Sequence, residues 1–282
     1  MIELPSYRPP ALARWFPAGA PGPATLGEHV LLTGVGRWWA DAADRPRAVA
    51  VSCADHVVLR GDPRALAPGD LAPLAGCYLD APARFLPVLR SAFDRLVPYE
   101  RMVWTQQEPA RRPPVPRGVR VRRLEPGDAA ALRALGPDAA WIAATWGGPE
   151  GLAASAHGWA AVRRDGRILA LACTYFRGSR YEDVAVFTAP DHRRHRLALA
   201  CVTALCADIA ARGHVPGWDC STMNRPSRLL AWTAGFRLVR EYVHYAAGGP
   251  VRQAAGATAP ASRPGAALPS PLGASPLGAK TN

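Results

Sequence analysis

A chain of 282 residues, 49% of them hydrophobic, can bury a full core and has room for one large or two ordinary domains. No charge-free run of 18 apolar residues occurs, and the amino-terminal MIELPSYRPPALARWFP lacks the basic start and apolar core of a secretory signal, so neither a membrane span nor export is expected. The net charge of +12 raises nucleic acid as a partner. Against that, the basic residues are almost all arginine, with Lys280 the single lysine, and they are spread along the chain, which argues against sequence-specific DNA binding.

The six cysteines (Cys53, Cys77, Cys173, Cys201, Cys206 and Cys220) form no CxxC pair and have no histidine at ligand spacing. They read as small, buried, reduced residues of a cytoplasmic protein, with no metal site.

In chain order, residues 1–28 are rich in Pro, Ala and Gly without a period and read as an irregular lead-in. Residues 29–105 hold enough apolar segments for a small α/β domain. Ala48–Ser52 and His56–Arg60 read as a strand pair, with Gly61-Asp62-Pro63 as a turn. Helices are predicted near Leu71–Leu79 and Ala83–Leu96, then a strand at Arg101–Thr105. Trp38-Trp39 fits core packing better than a pocket wall. Residues 106–118 (QQEPARRPPVPRG), with four prolines and three arginines, read as a semi-rigid linker.

Val119–Leu124 alternates as a strand, and Glu125-Pro126-Gly127-Asp128 leads into an alanine-rich helix with Asp128 as candidate cap. A second helix is predicted near Ala139–Trp146. Trp159–Arg163 and Arg167–Tyr175 flank Arg164-Asp165-Gly166, a strong hairpin signal. Asp183–Thr188 is a short run of β-branched and aromatic residues, read as a strand that Ala189-Pro190 ends. The basic run His192-Arg193-Arg194-His195-Arg196 follows. Leu199, Val202, Leu205, Cys206 and Ile209 then recur at helical spacing until Gly213. Pro216–Ser221 is a strand, Arg225–Ala234 a helix capped by Asn224, and Phe236–Tyr245 a final strand. From 246 to 282 the Ala/Gly/Pro/Ser composition predicts a disordered tail.

A helix N-terminus leaves four backbone N–H groups without intrahelical partners and carries about half a positive charge. Three arginines and two histidines at that point make a candidate anion site, with pyrophosphate the obvious ligand. A solvated basic turn that binds nothing is the competing reading.

Residues 119–245 resemble the GNAT superfamily of N-acetyltransferases, and the C-terminal part resembles its zwittermicin-resistance-like branch. The residues that carry the likeness are the strand ending in Thr188, then Pro190 to Ala198, Trp218-Asp219-Cys220, Asn224, Ser227, Leu230 and Gly235-Phe236. The resemblance implies a mixed, mostly antiparallel α/β (α+β) sheet flanked by helices, behind a degenerate amino-terminal half.

It also implies a site. Acetyl-CoA would lie with its pyrophosphate on Arg193, Arg194, His195, Arg196, Leu197 and Ala198, and its pantetheine arm along Val186, Phe187 and Thr188, near Asn224 and Ser227. Arg196 stands where the family's phosphate cradle carries glycine, so it either adds charge or obstructs. The amine must lose a proton before attack. Asp183 matches the family's acidic position and is the preferred base, with Glu182, beside it on the opposite strand face, as the second choice. Many family members protonate the thiolate with a tyrosine where this chain has Ala231, so Tyr242 or Tyr245, or a water held by Ser227, is the expected substitute. The expected activity is transfer of an acetyl group to a primary amine of a small molecule. A catalytically silent domain that binds acyl-CoA or a protein is the alternative.

Overall fold

The computed structural model describes residues 1–5 and 12–249. Among these, the alternating and β-branched runs form twelve strands. They are β1 (Ile2–Leu4), β2 (Arg37–Ala40), β3 (Ala48–Cys53), β4 (His56–Gly61), β5 (Tyr78–Asp80) and β6 (Leu96–Gln106), then β7 (Val119–Arg123), β8 (Gly158–Arg163), β9 (Ile168–Arg177), β10 (Tyr181–Thr188), β11 (Val215–Ser221) and β12 (Phe236–Ala247). The α-helices are α1 (Ala24–Thr33), α2 (Leu86–Ala92), α3 (Ala129–Arg133), α4 (Trp141–Ala144), α5 (Pro149–Ala154), α6 (Leu197–Ala211) and α7 (Arg225–Thr233).

All twelve strands join one sheet in the order β1-β2-β3-β4-β5-β12-β6-β11-β10-β9-β8-β7. Shifting every label by six and reading the order backwards returns the same sequence of strands. Among the described residues there are two parallel pairs, β4 with β5 and β10 with β11, and they correspond under that operation. The chain is therefore two halves of one topology, related by a pseudo-two-fold axis. Each half gives its last strand to the other: β6 lies beside β11, and β12 beside β5. The central β6–β12 ladder runs from Leu96↔Ala247 to Gln106↔Phe236. The proline-rich stretch at 106–118 divides the chain but not the sheet, because β6 is already built into the second half.

The periodic regions take the expected form. Asp165-Gly166 turns the β8–β9 hairpin with Gly166 at φ +86°, and α6 and α7 occupy the two amphipathic segments. The first half departs from expectation. Residues 1–28, expected as an irregular lead-in, contain β1 and the start of α1. The helix predicted at Leu71–Leu79 is a 3-10 segment, Pro68–Leu74, followed by β5, since Pro73 and Gly76 interrupt any longer helix. The second predicted helix shrinks to α2, preceded by a short 3-10 turn. Asp128 stands at the N-cap of α3 without a side-chain bond to it; its carboxylate takes Arg122 through both oxygens at 2.6 and 2.7 Å and, in a capping box on the preceding 3-10 turn, the Glu125 amide at 2.8 Å. Ala246 and Ala247, assigned to the tail, are buried as the last residues of β12, and residues 250–282 lie outside those described.

Trp38 is buried against Phe16, edge to face at 5.5 Å. One buried cluster is shared by the halves: Leu26, Val30 and Val51 from the first pack with Ile142, Leu171 and Phe176 from the second. A buried histidine ties the same seam. His29 Nδ1 accepts the Arg177 amide at 3.0 Å, and Nε2 meets the Thr145 carbonyl at 2.8 Å. Burial lowers its pKa to about 4 and keeps the ring neutral. The described cysteines form no disulfide, and burial pushes the Cys53 thiol up to about 12. No helix among the described residues is long and apolar enough to cross a membrane.

Candidate active site

The parallel pair β10–β11 is only three residues long: Tyr181↔Val215, Glu182↔Pro216, Asp183↔Gly217. Beyond Gly217, β11 continues beside β6, while β10 stays on β9 through Thr188↔Ala170, with a register shift between Asp183 and Val184. The strands therefore part at Val184, and the edge of β10 from Val184 to Thr188 faces a wedge-shaped opening. Val186, Phe187 and Thr188 are half-buried along it. Unpaired N–H groups on such an edge are ready partners for an extended ligand.

At the end of β10 the chain makes a 3-10 turn at Pro190–His192 and enters α6 at Leu197. Among the described residues, the backbone N–H groups of Arg194, His195, Arg196, Leu197 and Ala198 donate to no acceptor, and the Ala200 N–H donates to the Arg196 carbonyl at 3.0 Å as the helix begins. Arg194 and Arg196 have φ of +69° and +56°. That is the left-handed region glycine favours, so the turn keeps a glycine-type backbone with arginines in it, at a cost of about 1–2 kcal/mol per residue. The side chains of Arg193, Arg194, His195 and Arg196 are exposed, and Arg196 does not fold over the amides as a cap. Strain of this kind, bare amides and positive charge at one helix start together fit a diphosphate.

Asp183 lies where the strands part and is 7% exposed. Its Oδ1 is buried without a hydrogen-bond partner among the described residues. Burial, helped by the nearby Asp219 charge and opposed by Arg101, raises its pKa well above the usual carboxylate range. Asp219 on β11 is committed: Arg101 on β6 donates to Oδ1 at 2.9 Å, and the Tyr242 hydroxyl on β12 to Oδ2 at 2.6 Å. Tyr242 is thus held as a neutral phenol, its pKa pushed above the ordinary value chiefly by burial. Around this group the first half adds His56 and Tyr78. Tyr78 stacks on His244 at 5.0 Å, and His56 lies 5.9 Å from Tyr175.

Glu182 occupies the other strand face, as alternation requires. It is fully buried and accepts from Thr174 at 2.5 Å, Arg212 at 2.8 and 3.0 Å and His214 at 2.8 Å, with His157 at 3.5 Å. Burial alone would raise its pKa, but these donors hold it far below the usual range, so it stays ionised. The structure thus corrects the reading of Glu182 as a second base: it belongs to an ion-pair network between β10 and the end of α6, outside the wedge. Asn224 and Ser227 are likewise occupied. Asn224 Oδ1 accepts the Ser227 amide at 3.1 Å to cap α7, and the Ser227 hydroxyl accepts from Trp218 Nε1 at 3.0 Å.

Sequence reasoning missed Arg101, His56, Tyr78 and His244. Arg101 and His244 sit in strands whose local pattern says only "strand", and nothing short-range reports that β6 and β12 cross between the halves. Asp219 was visible only through the resemblance.

A parallel strand pair that opens at its midpoint, followed by a bare, basic helix start, is the architecture of an acyl-CoA-dependent N-acyltransferase. A family model for GNAT acetyltransferases matches residues 113–245. A protein of Streptomyces virginiae, described as an uncharacterized N-acetyltransferase in the mutA 5' region, is 67% identical over 214 residues, which is 76% of this chain and 90% of that one. The chain belongs to the GNAT acetyltransferase family, and it is an N-acetyltransferase of that type.

Solved structures agree on the fold. A GCN5-related N-acetyltransferase-like protein from Streptococcus suis superimposes with TM-score 0.67 at 18% identity, over 86% of this chain and 99% of that one. A tandem GNAT protein from the clavulanic acid biosynthesis pathway gives TM-score 0.55 at 13% identity, over 89% and 97%.

Proposed function

We propose that the protein transfers the acetyl group of acetyl-CoA to a primary amine of a small molecule, within the zwittermicin-resistance-like branch of its family and in the cytoplasm. The observation that carries this reading is the parting of β10 and β11 at Asp183↔Gly217, on the strand that leads into the unpaired amides of residues 194–198.

When bound, acetyl-CoA supplies an acetyl group activated as a thioester. The amides from Arg194 to Ala198, with the guanidinium groups of Arg193, Arg194 and Arg196, hold its diphosphate. The free edge of β10 at Val186–Thr188 would hold the pantetheine arm, and its N–H groups would supply hydrogen bonds to the thioester carbonyl where negative charge develops. Asp183 accepts the proton of the incoming ammonium, directly or through water, so that the nitrogen lone pair can attack. Burial raises its pKa, which makes its ionised form a stronger proton acceptor. Tyr242, a neutral phenol 2.6 Å from Asp219, is the hydroxyl assigned to pass a proton to the departing sulfur, and it is restored by the second proton that the newly acylated nitrogen loses.

Release of free thiol from acetyl-CoA over a panel of small amines tests the reading. Amine-dependent release, abolished by Asp183→Asn, is the expected result. Acetyl-CoA binding without release over the whole panel would favour the second reading, a catalytically silent acyl-CoA-binding domain. The observation behind that reading is Ala231: fully buried, it leaves no hydroxyl at the position where many relatives carry a tyrosine.

A further inference from the structure

The pseudo-two-fold axis places a counterpart of the wedge in the first half, at the end of β4, and the two differ in a telling way. There the parallel pair also runs for three residues, His56↔Tyr78, Val57↔Leu79 and Val58↔Asp80, before the strands part. The gap is bridged at once. Arg60 donates to the Leu59 and Asp80 carbonyls at 2.9 Å each and to the Asp80 carboxylate at 2.5 Å. Arg84 donates through Nε and Nη2 to the Gly61 carbonyl at 3.1 and 3.0 Å. No extended arm can lie along β4, because arginine side chains take its place.

Outside that plug lies an open cleft of about 720 Å³, rimmed by Arg14, Arg47, Arg60, Arg64 and Arg84, with Trp15 in its wall. Among the described residues, Arg14, Arg47 and Arg64 pair with no carboxylate, and all three are exposed. The acids nearby are spoken for. Asp62 Oδ1 accepts the Arg64 amide at 2.9 Å, Asp41 the amides of Arg47 and Ala48 at 2.8 and 2.9 Å, and Asp80 holds Arg60. The rim is also rigid. Gly61 sits at φ +111° against the Arg47 carbonyl, where a Cβ would collide, and the Asp62 amide donates to that same carbonyl at 2.8 Å. Five guanidinium groups converge there against the lining carboxylate of Asp62, and a multivalent oxyanion relieves the repulsion that remains while using their forked donors.

We propose that this cleft is a ligand site separate from the acyl-transfer site, and that it takes a compact di- or triphosphate group. The shape excludes a pantetheine arm, the charge selects phosphate, and the half-buried Trp15 ring offers a face to a nucleobase if the phosphates belong to a nucleotide.

Calorimetric titration of the full chain with inorganic triphosphate tests this, with ADP, inorganic diphosphate and CoA in parallel. Saturable triphosphate binding that weakens with added salt is expected. The double variant Arg47→Ala/Arg64→Ala should weaken it by about tenfold or more, or ~1.4 kcal/mol, while leaving CoA binding and acetylation unchanged. Both side chains are exposed, so melting temperature should report an intact fold. ADP binding more tightly than diphosphate assigns a nucleotide, and equal affinities assign free polyphosphate; both support the site. Absence of saturable triphosphate binding, or equal binding by the variant, overturns the proposal. Loss of CoA binding in the variant also overturns it, because the cleft would then belong to the acyl donor.

Discussion

The two halves of this chain begin the same wedge and finish it differently. In the second half, β10 and β11 part at Asp183↔Gly217, the β10 edge stays bare, and a fifteen-residue helix follows it. In the first half, β4 and β5 part at Val58↔Asp80, Arg60 and Arg84 cross the gap, and only two 3-10 segments, of three and seven residues, follow β4. The difference teaches that topology supplies the opening but side chains decide whether it is a site. An unpaired strand edge must find partners. The first half provides them from its own arginines, whereas the β10 edge beyond Asp183 has no strand partner on the β11 side among the described residues.

The largest effect expected of any substitution is at Asp183. Asp183→Asn should lower the acetylation rate by roughly 10²–10⁴-fold, the usual contribution of a positioned general base, with acetyl-CoA affinity intact. An unchanged rate would dismiss it as the base. The wild-type rate should climb with pH along a limb set well above the ordinary carboxylate range, since burial raises Asp183 and only its ionised form accepts a proton. That limb should vanish in the variant.

Next in size is Glu182, on the opposite face. Glu182→Ala leaves Arg212, His214 and His157 facing an empty site and should cost about 3–5 kcal/mol in denaturant unfolding. Its lowered pKa fixes the sign with pH: the native state gains from the ionised form above the ordinary glutamate value and loses that gain as pH falls below it. His29 adds loss in the same direction. With its pKa lowered to about 4, stability present above pH ~6.5 drains away as pH falls toward that value. Glu182→Gln should flatten the acid side of the stability profile, and a profile unchanged in shape would count against the network.

The plug gives a smaller and sharper contrast. Arg60→Ala should destabilise by about 1.5–3 kcal/mol, as charged hydrogen bonds do, without altering turnover. A lost rate would mean that the first half shapes the acyl-transfer site after all. Smallest is Arg196→Gly, which should add about 1 kcal/mol of stability by relieving a left-handed arginine, with CoA affinity retained. A large loss of affinity would show that the side chain, rather than the backbone, holds the diphosphate.

Much of the second half was legible one residue at a time. Asp-Gly between two apolar runs marks a hairpin, Asn224 before Pro226 marks a helix start, and a turn of basic residues before a periodic apolar segment marks the start of α6. Each rests on interactions within a few residues. The same is true of alternation, which by itself puts Asp183 and Glu182 on opposite faces of their strand.

What lay beyond the sequence depended on contacts between distant segments. Glu182 stood as the second choice of base until α6 brought Arg212 against it. The linker at 106–118 looked like a boundary until β6 proved to be shared. Arg60 and Arg101 read as ordinary strand arginines, and only pairing across the sheet shows one closing a cleft and the other fixing Asp219. Local order follows from torsional preference and from where apolar side chains recur. Charge partners, burial and the exchange of strands depend on which surfaces meet, and that is decided only when the whole sheet closes.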